Sequence, residues 1–82
     1  MVEINYIELY KKIEELISSC YEKYKDKFSV EEQDRCEMYL YTQGEYEEAL
    51  GEILAILKKH NIEMEDGCYK SINAAKKLMK ID

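Results

Sequence analysis

From Ile4 to about Tyr24, apolar side chains return at helical spacing: Tyr6, Leu9 and Tyr10, Ile13, Leu16 and Ile17, Cys20, Tyr21 and Tyr24. A stripe at i, i+3, i+4 and i+7 held over about five turns predicts one long amphipathic helix. Its apolar side must be covered by other elements. A chain of 82 residues allows a single domain, residues 1–82, that buries only roughly 60–65% of its extended surface, which leaves little room for an enclosed cavity.

The remaining chain supplies the cover. Phe28 is expected to pack back onto the core after the first helix frays near "KDKF". Ser29 followed by Glu32 reads as a capping box, the serine oxygen taking a backbone N–H and the glutamate reaching back to the serine amide. A second helix therefore starts at about Val30, with Val30, Cys36, Tyr39 and Leu40 inward, and ends at Gly44, a residue suited to the left-handed closing position. The joint is short, so the third helix, about Glu45 to Lys59, must turn back sharply. It is expected to bury Tyr46, Ala49, Leu50, Ile53, Leu54 and Leu57, with Asn61 left-handed and Ile62 over the end. After "EMEDG", where Glu65 or Asp66 can cap, a fourth helix runs to about Lys80 over Cys68, Ile72, Ala75 and Met79. No proline occurs, and no stretch alternates apolar and polar for long enough to form a strand. The expected fold class is all-α, a small antiparallel bundle of about four helices.

Charge then narrows function. The net charge is −6, which argues against direct nucleic-acid binding, because neutralising phosphates takes a surplus of Lys and Arg. Between Glu31 and Glu52 stand eight acids (Glu31, Glu32, Asp34, Glu37, Glu45, Glu47, Glu48 and Glu52) against Arg35 alone, while the rest of the chain has ten acids and eleven bases. The surplus thus belongs to the middle of the sequence. No continuous apolar core marks a signal peptide in "MVEINYIELYKK", and no run approaches the roughly 20 apolar residues of a membrane span. Cys20, Cys36 and Cys68 are odd in number and widely spaced, the pattern of reduced, buried thiols in a cytosolic protein.

Catalytic constellations find no support. His60 is the single histidine and falls in the last turn of the third helix, where a cation suits the dipole. None of Ser18, Ser19, Ser29 and Ser71 lies in a nucleophile elbow, and Gly44, Gly51 and Gly67 are scattered rather than gathered into a phosphate loop. Glu45, Glu48 and Glu52 share one side of a helix, yet the Glu-x-x-His pairs of a di-metal bundle are absent. "EMEDG" lacks the spacing of a calcium loop. Lys70, Asn73, Lys77 and Lys80 align on the fourth helix and read as a solvated face. The expectation is no enzyme, no catalytic residues, no metal or other cofactor, no small-molecule ligand and no membrane.

The middle acids have two readings. One is an ordinary wet helix face. The other is a partner-binding surface, favoured because acids this concentrated repel one another and because Asp34, Met38 and Tyr41, at i, i+4 and i+7, put apolar groups beside carboxylates. Gly51, with Ala55 one turn on and Glu47 and Glu48 one turn back, leaves a side-chain-poor notch. It serves either close packing of the second helix on the third or the approach of another backbone. The expected partner site is Asp34, Met38, Tyr41, Glu45, Tyr46, Glu47, Glu48, Gly51 and Glu52, with Tyr41 and Tyr46 as anchors.

The order of "INYIELYKKIEELI", "MYLYTQGEYEEAL" and "ILAILKKHNIEM" leading into a last helix resembles small immunity proteins of bacterial polymorphic toxin systems, including Maf-type and contact-dependent growth inhibition immunity proteins. The local match is a glycine, an acid, an aromatic, then Ala-Leu three residues later: Gly44, Glu45, Tyr46, Ala49 and Leu50. The resemblance implies a cytoplasmic antitoxin that binds a cognate toxin domain, often a nuclease acting on RNA. It brings no catalytic residues. Physically, a rigid acidic surface competes with phosphates for a nuclease's basic cleft. The alternative class is a helical adaptor or regulator working through homo- or hetero-oligomerisation.

Overall fold

The computed structural model describes residues 6–80, and the expected helix start at Ile4 lies outside them. Four helices follow in order: α1, Tyr6–Tyr24; α2, Val30–Glu37; α3, Tyr46–Lys59; and α4, Asp66–Met79. No strand occurs among the described residues, as expected for an all-α bundle. The molecule is a slab of 46 × 27 × 19 Å. Its least dimension matches two helix layers set 8–10 Å apart.

α1 packs against α4, α3 and the turn that follows α2, while α2 itself packs mainly on α3. α4 runs antiparallel to α1. At one end the backbone N–H of Glu65 donates to Tyr24 Oη at 2.9 Å and Lys23 pairs with the Glu65 carboxylate. At the other end Leu9 and Ile13 lie beside Leu78 and Met79. α2 retraces α1 on its other flank, where the buried Tyr21 hydroxyl donates to Glu37 Oε2 at 2.6 Å. α3 then runs back along α2, held by Arg35 Nε to Glu52 Oε1 at 2.9 Å. The core gathers Ile13, Ile17, Cys20 and Tyr21 of α1, Cys36 of α2, Leu40, five residues of α3 (Ala49, Leu50, Ile53, Ile56 and Leu57) and Cys68, Ile72 and Ala75 of α4.

Local chemistry explains most boundaries. A single 3-10 turn, Lys25–Lys27, ends the first helix and drops Phe28 into the core. Gln33 Nε2 donates to the carbonyls of Lys25 and Phe28 at 2.9 and 3.1 Å, so α2 ties down the turn that precedes it. Ser29 and Glu32 form the expected capping box. After α3, Asn61 stands at φ 55°. Its N–H reaches the Lys58 carbonyl at 3.1 Å and that of Ile62 reaches Leu57 at 2.9 Å, the paired bonds of a Schellman closure.

Four expectations change. Val30 faces solvent, 74% exposed, while Phe28 just before the N-cap fills the core. Tyr6 and Tyr10 continue the α1 stripe but remain exposed, because the described residues of α3 and α4 do not cover them. Ile56, absent from the expected core, is buried. Neither Glu65 nor Asp66 caps α4 through its side chain: Glu65 holds the cap position while its carboxylate is drawn to Lys23.

Candidate functional site

The joint between α2 and α3 positions most of the expected surface. α-Helical bonding stops at Glu37, and one wide π-helical turn, Met38–Thr42, carries the chain on to Gln43. The N–H of Gln43 bonds the Met38 carbonyl and that of Glu45 bonds Tyr39, both at 2.8 Å. Gly44 closes the joint at φ 63°. A Cβ there would meet nothing nearer than Tyr46 Oη at 3.8 Å, so backbone angle rather than space selects glycine.

The wide turn decides where Tyr41 goes. Its ring leaves the α2 surface for α1, where the hydroxyl reaches Glu22 Oε1 at 3.5 Å. Partial burial first, then the charge of Glu22 with Glu14 and Glu37 further off, raises its phenol above the usual tyrosine value. Tyr41 nevertheless keeps 45% exposure. Tyr46 is half-buried, its ring 6.2 Å from that of Tyr10, and burial followed by the Glu14 charge shifts its phenol upward too. The two expected anchors thus flank Glu14 of α1, an acid that the middle-segment count does not contain.

The acids of the middle segment divide by task. Glu32, Glu37 and Glu52 are held by the fold: Glu52 pairs with Arg35, and Glu37 accepts from Tyr21. Glu31, Asp34, Glu45, Glu47 and Glu48 are exposed and form no ion pair among the described residues. Glu45 occupies the N-cap of α3, and Glu47 and Glu48 lie in its first turn, where carboxylates are favoured by the helix dipole by about 0.3–1 kcal/mol each. Those three therefore have a local role in addition to any partner. Asp34 and Met38 stand exposed on the outer side of α2 and the turn that follows it. Glu52 leaves the expected face, half-buried between α3 and α2.

Gly51 resolves its two readings in one direction. Nothing lies within 4 Å of the Cβ position, and the residue is exposed. α2 does not pack against it. The notch is open to solvent, and the fold does not require glycine there.

One cluster is not marked by the sequence pattern. Glu32 is 3% exposed, and its carboxylate receives the Ser29 N–H at 2.8 Å, Lys59 Nζ at 3.1 Å and His60 Nε2 at 2.9 Å. The Ser29 amide first, then His60 and Lys59, hold its carboxyl well below the usual range, at about 2. The capping box was legible because its members are three residues apart. Lys59 and His60 lie 27 and 28 positions on, a pairing no local spacing announces.

A carboxylate beside a histidine is also a catalytic motif, so its neighbours matter. Cys36 is buried, and burial pushes its thiol up to about 12. Cys20, buried and sharing a hydrogen bond with Cys68, is raised as far. Both stay protonated and non-nucleophilic near neutrality. Ser18 and Ser19 turn their hydroxyls back onto the carbonyls of Glu15 and Leu16. No group of His, Cys, Asp and Glu among the described residues is arranged to hold a metal ion, and no buried side-chain polar atom among them lacks a partner. The Glu32 cluster thus clamps the start of α2 to the end of α3.

No protein family, curated protein or solved structure matches the chain. Among the described residues no helix is long and apolar enough to cross a membrane.

Proposed function

We propose that the protein is a non-enzymatic antitoxin of the immunity-protein kind, which binds a basic toxin domain, a nuclease in the leading reading, and blocks it in the cytoplasm. The observation that carries this reading is the set of exposed acids without ion pairs among the described residues, Asp34, Glu45, Glu47 and Glu48, carried on the same α2–joint–α3 segment as exposed Met38 and Tyr41. Carboxylates without internal partners steer and select a cationic surface, whereas Met38 and Tyr41 offer area that can be desolvated at the centre of a complex. The acids that the fold consumes, Glu32, Glu37 and Glu52, drop out of the contact surface. Glu14 and Glu22 of α1 enter it through their position beside Tyr46 and Tyr41. An interface of standard size, about 1,600 Å² over both partners, spans this region and the Gly51 notch.

The test is to isolate the protein that co-purifies with this chain and to express it alone and together with the chain. The expected result is rescued growth and an association rate that falls steeply with salt. Reversing Asp34, Glu45 and Glu48 to lysine, with Tyr41→Ala, should abolish rescue and flatten the salt dependence. Failure of the unaltered chain to rescue, or rescue and on-rate untouched by the four changes, would sink the reading.

A further inference from the structure

Beyond that surface, the exposed end of the α1 stripe forms part of a groove. The open volume is about 590 Å³, floored by Tyr6, Leu9, Tyr10, Tyr46 and Met79 where the start of α1 lies between the first turn of α3 and the last turn of α4. Tyr6 and Tyr10 are 58% and 50% exposed, and their rings form a ladder with Tyr46, at centroid spacings of 6.3 and 6.2 Å. Along one rim stand Glu47 and Glu48 of α3; along the other stand Lys77 and Lys80 at the end of α4. None of these four charges has an ion-pair partner among the described residues. An aromatic floor between an acidic and a basic rim is an amphipathic surface whose two edges complement each other.

We propose that the groove is occupied by the same groove of a second copy of this chain, giving a two-fold dimer. The rim charges select the arrangement. A two-fold axis lying along the groove brings the Glu47–Glu48 rim of one copy opposite the Lys77–Lys80 rim of the other, twice, with the tyrosine floors face to face. An axis across the groove would set acids against acids and lysines against lysines. Only the first is electrostatically permitted, because like charges juxtaposed across an interface repel. The α1 helices of the two copies then run parallel. An isologous contact also closes on itself, so growth stops at two chains. A wholly basic partner suits this groove less well, because the lysine rim would repel it.

The dimer leaves Asp34, Met38 and Tyr41 outside but shares Tyr46, Glu47 and Glu48 with the proposed toxin face, so the Lys77→Glu/Lys80→Glu variant, which alters the groove alone, is the one that separates the two readings. Sedimentation equilibrium of the full chain should give twice the 9.8 kDa chain mass. The variant Glu47→Lys/Glu48→Lys and the variant Lys77→Glu/Lys80→Glu should each dissociate at least about tenfold more readily, because each sets like charges opposite one another. Mixed in equal amounts, they should recover a dimer, since both facing rims are then opposite in sign. All four positions lie on the rims rather than in the core, and circular dichroism of each variant checks that the helices persist. A single-chain mass up to about 1 mM, a dimer indifferent to the rim changes, or a mixture that stays monomeric would each overturn the proposal. Growth rescue by an obligate monomer would leave the antitoxin reading intact.

Discussion

The two ends of α3 lie roughly 20 Å apart along one helix and are built on opposite principles. At the carboxyl end, Lys59 and His60 close on the Glu32 carboxylate, the Schellman turn seals Leu57 under Ile62, and charge meets charge inside the molecule. At the amino end, Glu47 and Glu48 have no ion-pair partner among the described residues, the tyrosine ladder is half out in solvent, and the lysines that would answer the acids stand across a groove. The closed end has exhausted its interactions and its substitution should be felt as stability. The open end has kept them and its substitution should be felt as binding. Both ends carry acids, so acidity alone does not distinguish a surface that recognises something from one that holds the fold together.

Removal of apolar bulk should separate the ends most sharply. Leu57→Ala, at a buried position beside the closure, is expected to cost about 2–5 kcal/mol. Tyr6→Ser, at the open end, should cost about 0.5 kcal/mol or less. Urea unfolding at micromolar concentration measures both, and comparable losses would show that the groove end is as tightly built as the closed one.

Acid should act next, and at one end only. Unfolded, the Glu32 carboxyl titrates at its ordinary value of 4.5; folded, it is held at about 2. Below 4.5 the unfolded chain takes up a proton that the folded chain refuses, so this contribution is fully present above 4.5 and is lost as pH falls toward 2. Glu32→Gln should lower stability at pH 6 and lose less on acidification to pH 3 than the unaltered chain does. Equal acid losses in the two proteins would place the acid sensitivity elsewhere.

The smallest effect is expected at the notch between the two ends. Gly51→Ala has room for its methyl group and should raise stability by about 0.5–1 kcal/mol through helix propensity. If a toxin backbone approaches there, the same change weakens the complex. Stabilisation accompanied by unchanged association would remove Gly51 from the contact surface.

How much of this was legible in the sequence follows from the range of each interaction. The α1 helix, the Ser29–Glu32 box, the left-handed Gly44 and the Asn61–Ile62 closure all depend on residues within about five positions of one another and are all found, although Tyr6 and Tyr10 of the stripe stay exposed and α2 gives way to the π turn before Gly44. Of the expected partner site, Asp34, Met38, Tyr41, Glu45, Glu47, Glu48 and Gly51 do face solvent. Glu52 is withdrawn by Arg35, seventeen residues away, and Tyr46 is half withdrawn by Tyr10. The π turn escaped notice because one extra residue per turn changes the apolar spacing too little to register, yet it is what swings Tyr41 toward α1.

The sequence alone therefore determined that this chain is helical, roughly where its four helices lie, and that its negative charge is gathered in the middle segment. Propensity, capping and periodicity are local and act before any tertiary contact exists. Which of those negative charges remain available was decided only in the folded molecule. The side chains that satisfy Glu32, Glu37 and Glu52 come from other helices, and so do the walls that turn the tyrosines of α1 into a groove. Pairing across such distances depends on how helices pack, and no spacing along a chain encodes it.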